Sequence, residues 1–247
     1  MSAGLVVAIV LTLVALAALA PATLVDRRLA AATDGRLRIA NAGGTVWRGQ
    51  GALTDARGTW QLPLAWHASP LALARGVLAL DFGPAPDDGA VQGQLLLTGS
   101  GAELRNLRGL IPAQALASFA PDNVVGTLAG AIAVDAPAFR YDGGTADGAA
   151  DIRWDRARVA INGSTVDLGT VTVRIAPRGQ DLAGTLANTG GALGVAGDAV
   201  VANGLATVNV TLTPGPATPP DIARALAALG NPDSNGSVRV AWRGAVR

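Results

Sequence analysis

The sequence predicts a mainly β protein: an N-terminal transmembrane helix, then a single curved, mostly antiparallel β-sheet domain, open or half-barrel-like, with two short helices. Three observations predict it. An apolar run without a charge opens the chain over residues 3–25. After residue 40, short apolar runs of period 2 replace the helical period. Turn dipeptides such as Asn-Gly and Asp-Gly recur about every 8 to 15 residues, the rhythm of a meandering all-β fold.

The first element reads AGLVVAIVLTLVALAALAPATLV. Roughly 20 apolar residues cross a bilayer core as a helix. A cleaved signal peptide is the alternative. It is disfavoured because no Arg precedes the run and Pro21 follows the small-residue site at Ala18–Ala20. Ala20-Pro21-Ala22 keeps a second site open. Residues 1–28 are therefore read as the anchor and 29–247 as one β-rich domain. Arg27 and Arg28 just after the span pull the body toward the cytoplasm, but long domains translocate largely regardless of charge, so the sequence leaves the side open.

In the body, Val171, Val173 and Ile175 alternate with Thr172 and Arg174. Ala206, Val208, Val210 and Leu212 oppose Thr207, Asn209 and Thr211, and Val238, Val240 and Trp242 oppose Arg239, Ala241 and Arg243. Such alternation fits a sheet with one buried and one wet face. Asp87-Asp88-Gly89, Asp142-Gly143-Gly144, Asn162-Gly163, Asn203-Gly204 and Asn235-Gly236 supply residues that tolerate positive φ. The 32 glycines fit strands that bend or bulge. One helix is expected after a cap at Thr218, with Ile222, Leu226 and Leu229 on one face and Gly230 closing it. A second runs from Pro112 to Ala120 with Leu116 and Phe119 inward. A helical turn at 70–75 is a weaker third.

The chemistry is defined by what is missing. The chain has no Cys, one His, no Lys and one Glu. This excludes a thiolate nucleophile, a multi-His or Cys-ligated metal, and a lysine base or Schiff base. A net charge of +1 gives no general attraction to nucleic acid. His67 has only Trp66 and Ala68 beside it, which fits a surface or edge-strand histidine. Residues 99–104 (GSGAEL) begin like a dinucleotide loop but lack its third glycine. Residues 143–151 loosely resemble a calcium nonapeptide without repeating. Asp151 and Asp155 each sit near Arg, as paired surface carboxylates do. No catalytic, cofactor or metal residues are assigned. The five Trp all fall in alternating segments, where core packing is the default and interface anchoring the alternative.

The order of these pieces resembles protein N of the bacterial type II secretion system. After the anchor comes Gly43-Gly44-Thr45-Val46-Trp47-Arg48-Gly49, similar to the family's Gly-Thr-x-Trp-x-Gly segment. Trp66 and the Pro-Leu turn from Pro70 to Gly76 follow. Residues 93–116 match a strand, a Gly break and a Leu-Arg-x-Leu stretch. Residues 225–246 resemble the closing helix, Gly-x-Pro-Asp turn and final strand. Basic residues commonly precede the family's span, and here none do. The resemblance implies a non-enzymatic, single-pass inner-membrane protein with its body in the periplasm. Its implied partners are other secretion components, namely inner-membrane platform proteins and the secretin.

The contact residues expected are Thr45, Trp47, Arg48, Arg239 and Arg243, in the 45–49 segment and the 237–244 strand. A different reading uses the same physics. A curved sheet with an apolar concave face and a membrane anchor also fits a periplasmic lipid carrier holding acyl chains.

Overall fold

The computed structural model describes residues 19–83, 91–118, 127–142, 145–161, 164–179 and 181–245. Among these, one open antiparallel sheet runs in chain order, every strand hydrogen-bonded only to its sequence neighbours. The thirteen strands are β1 (Leu37–Gly44), β2 (Arg48–Asp55), β3 (Gln61–Ala68), β4 (Leu78–Gly83), β5 (Gln92–Leu97), β6 (Gly101–Pro112), β7 (Thr127–Asp142), β8 (Thr145–Ile161), β9 (Ser164–Arg178), β10 (Asp181–Thr189), β11 (Leu193–Ala202), β12 (Leu205–Pro214) and β13 (Val238–Ala245). β1 and β13 do not pair with each other, so the sheet has two edges.

Register explains the two faces. Directly opposed residues in a ladder share a face. Trp66↔Phe82, Leu80↔Leu95 and Leu95↔Leu104 carry one apolar face through β3 to β6. Ile132↔Trp154, Trp154↔Val171 and Leu212↔Val238 carry it to the far end. The other face is polar. There Glu103 accepts from Arg105 at 2.6 Å and Arg140 at 3.2 Å, and Arg174 pairs with Asp151 across β8 and β9 at 3.0 Å.

Bulges keep the apolar face continuous over β6 to β8, strands of 12 to 17 residues. A strict period of 2 puts Leu104 and Leu107 on opposite faces. Asn106 at φ 50° shifts the phase against β5, so Leu104 stays opposite Leu95 while Leu107 packs with the Trp60 cluster on the same apolar side. Arg156, also at φ 50°, does the same between Trp154 and the fully buried Ala157. Asn203 and Gly204, at φ 52° and 72°, close the β11–β12 hairpin in two residues, the type I′ chemistry expected of Asn-Gly.

Among the described residues there are four short helices, against the two expected and the weaker third turn at 70–75, which forms as α2: α1 (Thr23–Ala32), α2 (Pro70–Leu73), α3 (Gln114–Ala117) and α4 (Pro220–Leu229). Among the described residues three clusters of buried side chains form, two of them joined through the half-buried Phe82. α1 and the residues before it bury Ala22 with Ile39 and Trp66. α3 buries Ala115 with Trp60, Leu62 and Val91. α4 buries Ile222 and Leu226 with Val166, Leu193 and Val238.

Several expectations need correction. α3 turns Ala115 inward, not Leu116, which is 47% exposed. Thr218 does not cap α4; Pro219 holds that position, and the Thr218 hydroxyl instead bonds the Ala192 carbonyl and accepts from Gly215 N–H. Gly230 ends α4 in extended backbone, not a left-handed turn. No described helix is long and apolar enough to cross a membrane. Most of the expected span, residues 3–18, lies outside the described residues, as do Phe119, the turns at 87–89, 143–144 and 162–163, and the Leu229 side chain.

Candidate functional site

The two edges of the sheet are built differently, and the expected contact residues divide between them. Thr45 and Trp47 lie in the β1–β2 connection and Arg48 opens β2, whereas Arg239 and Arg243 lie on β13, with strands β3 to β12 in between. They do not form one site.

The β1 edge is closed. An edge strand presents a row of unpaired N–H and C=O groups. Here the segment before β1 folds back over that row. Ala22 N–H donates to the Gly44 carbonyl at 3.1 Å, and Val46 N–H to Ala20 at 2.9 Å. Pro21 and Thr45 form an isolated bridge. One turn into α1, the Asp26 carboxylate accepts from the Ile39 N–H at 2.8 Å and from the Arg38 guanidinium at 2.9 and 2.6 Å. Arg38 holds the Asp26 carboxyl below the usual carboxylate range, outweighing the opposite effect of burial, and the Ile39 N–H adds to it. Sequence reasoning merged this helix with the apolar span. Asp26 was the available signal, because an acid in the first helical turn marks a new helix start.

The 45–48 turn is tied down locally. Thr45 N–H donates to Arg48 C=O at 2.9 Å, and the Thr45 hydroxyl accepts from Arg48 N–H at 3.2 Å. The Trp47 carbonyl accepts from Ala68 N–H at 2.7 Å, which fixes the turn to the end of β3. Beneath it, the Trp66 ring lies over Gly49, its cross-strand partner, where a Cβ would collide with the ring. The Arg48 side chain is exposed on the polar face, in register with His67, which is in register with Asp81.

The β13 edge is open. Among the described residues no strand or helix pairs with its outer side. α4 covers only the start of the strand, so Val238 is fully buried while Val240 is 37% and Trp242 55% exposed on the same face. The Trp242 ring folds over Gly244. On the polar face Arg239 and Arg243 stand opposite Thr211 and Thr207. Neither has a carboxylate within ion-pair distance among the described residues. A shallow depression of about 590 Å³ adjoins Arg239, lined by Ala196, Gly197, Asp198, Asn209 and Thr211. Its one acid, Asp198, accepts from the Asn209 amide at 3.1 Å.

The other sequence candidates resolve into surface roles. His67 is exposed in β3. Residues 99–104 form the β5–β6 turn and the start of β6, not a loop opening a helix. Asp155 pairs with Arg153 at 2.8 Å, as Asp151 does with Arg174. Among the described residues, no group of His, Asp or Glu is placed to hold a metal ion.

A search of curated proteins and a search of solved structures each gave no match. The family model described as type II secretion system (T2SS), protein N, matches residues 35–241. The match runs from the residues before β1 into β13, and the chain therefore belongs to the type II secretion system protein N family, an accessory component of that export machinery.

Proposed function

We infer that the chain acts as a membrane-anchored, non-enzymatic adaptor whose body lies in the periplasm and docks other secretion components along the free edge of β13. The single observation that carries this is the asymmetry of the two edges. β1 is sealed by the chain's own N-terminal segment, whereas among the described residues nothing pairs with the outer side of β13, and Val240 and Trp242 are exposed beside it. An open edge offers main-chain hydrogen bonds to an added strand, and adjacent side chains give specificity. The anchor in this reading comprises residues 3–20, because Ala22 and the residues after it belong to the folded body. That length still suffices to span a bilayer.

The test is site-specific photo-crosslinking in living cells. Photoreactive residues are placed at Arg239, Ala241 and Arg243, at the mid-sheet polar positions Thr172 and Arg174, and at the apolar-face positions Val171, Val173 and Ile175. Discrete adducts with secretion components at the β13 positions, and not at mid-sheet, are expected. Adducts with lipid restricted to Val171, Val173 and Ile175, with none at β13, would replace the adaptor by the acyl-chain carrier. That second reading is favoured by one observation: Val173, Ile175, Val208 and Val210 are only half-buried on the apolar face.

A further inference from the structure

We propose that the segment docking on β13 is an extended, acidic-apolar strand from a different protein, carrying Asp or Glu at alternate positions against Arg239 and Arg243 and apolar residues beside Val240 and Trp242. The proposal rests on the β13 docking reading and adds the chemistry of the partner.

The pairing of charges along the polar face breaks off at β13. From β6 to β9 the polar face matches arginine with carboxylate: Arg105 and Arg140 with Glu103, Arg108 with Asp135, Arg153 with Asp155, and Arg174 with Asp151. At β13 the match stops. Arg239 and Arg243 face Thr211 and Thr207, with Asn209 between, and the nearest acidic strand position, Asp198 on β11, is engaged by Asn209. The matching carboxylates belong on a next strand, which none of the described residues supplies.

A second copy of this chain fits the edge poorly in an antiparallel pairing. Two β13 strands pairing antiparallel must match apolar with apolar, so partners have residue numbers of equal parity. If the pair centres on Ala241, Arg239 lies opposite Arg243 of the other copy. Centring on Arg239 or on Arg243 places that arginine opposite itself. Centring on Val240 or Trp242 leaves arginines on the diagonal. Like charges directly opposed on a sheet destabilise it, and diagonal neighbours remain within reach of long side chains. The edge therefore repels its own kind and accepts the opposite charge, the usual combination of attraction and built-in rejection.

Val240 and Trp242 continue the apolar side of the sheet past the cover of α4. A strand that alternates charge with apolar side chains satisfies both faces at once, as β8 and β9 do with each other.

The experiment uses the full chain in detergent micelles and two fluorescent peptides of about eight residues, a common strand length. One alternates valine with aspartate, the other valine with lysine. Anisotropy titrations at low salt are expected to give binding of the aspartate peptide roughly ten-fold tighter, from two cross-strand charge pairs each worth up to about a few-fold and reversed in sign for lysine. The preference shrinks at high salt. In the double variant Arg239→Glu, Arg243→Glu it inverts. Equal binding of the two peptides, with an Ala241→Pro or Val240→Pro variant weakening both, would overturn the acidic-partner inference and leave edge docking standing. No binding of either peptide would overturn both.

Discussion

Replacing Asp26 tests whether the N-terminal helix truly seals the first edge. Asp26 is 9% exposed and holds three hydrogen bonds. In Asp26→Ala the Ile39 N–H is left buried without its acceptor, which costs about 1–3 kcal/mol. The Arg38 side chain is half exposed, so water replaces much of its lost pairing and that part adds less than about 1 kcal/mol. The expected sum is about 2–3 kcal/mol, felt as local opening of α1 from β1. Asp26→Asn keeps an acceptor for Ile39 and loses only charge, so about 1 kcal/mol is expected. Amide hydrogen exchange reads this directly. Exchange at Ile39 should speed up on the order of 30-fold in the alanine variant and several-fold in the asparagine variant, if opening is local. Exchange at Ile39 in Asp26→Ala unchanged from the parent would refute the reasoning. The pH dependence follows from the lowered Asp26 carboxyl. A carboxylate depressed in the folded state contributes its stability fully above its unfolded value, near about 3.9, and loses it as pH falls through the folded value. The seal is therefore constant across neutral pH and opens only in strong acid.

Three further predictions concern packing and turns. Leu226→Ala removes a buried residue under α4 and should lower unfolding stability in urea by about 2–4 kcal/mol, whereas Leu116→Ala at an exposed site should change it by less than about 0.5 kcal/mol. Gly49→Ala drives a methyl group into the Trp66 ring, so a loss of about 1–3 kcal/mol and an altered Trp fluorescence spectrum are expected. Gly204→Ala strains a residue at φ 72° and should cost about 1 kcal/mol, read as a lower urea midpoint.

Strand character and facing were legible where alternation was unbroken. Val171 to Ile175 and Val238 to Arg243 face as their spacing dictates, and Asn203-Gly204 makes the turn its chemistry favours. The phase shifts were not legible. Arg156 gives no sign of accepting positive φ, so the bulge that returns Ala157 to the apolar face appears only once β7 and β9 are aligned beside it. Helix α1 was hidden because Ala22 and Val25 continue the composition of the preceding apolar run, while their burial depends on Ile39 and Trp66 folding against them. Of the proposed docking edge, the exposure of Arg239 and Arg243 followed from alternation. The division of β13 into a buried Val238 and an exposed Trp242 did not, since it is set by how far α4 reaches.

Hydrogen exchange of the full chain, read strand by strand, distinguishes a sealed first edge from an open last edge. Slow exchange across β1 with Asp26 intact, fast exchange at alternate amides of β13, and slowing of those β13 amides when a partner strand binds are expected. Protection of every β13 amide to the level of β9 in the isolated protein, or rapid exchange throughout β1, would contradict that distinction.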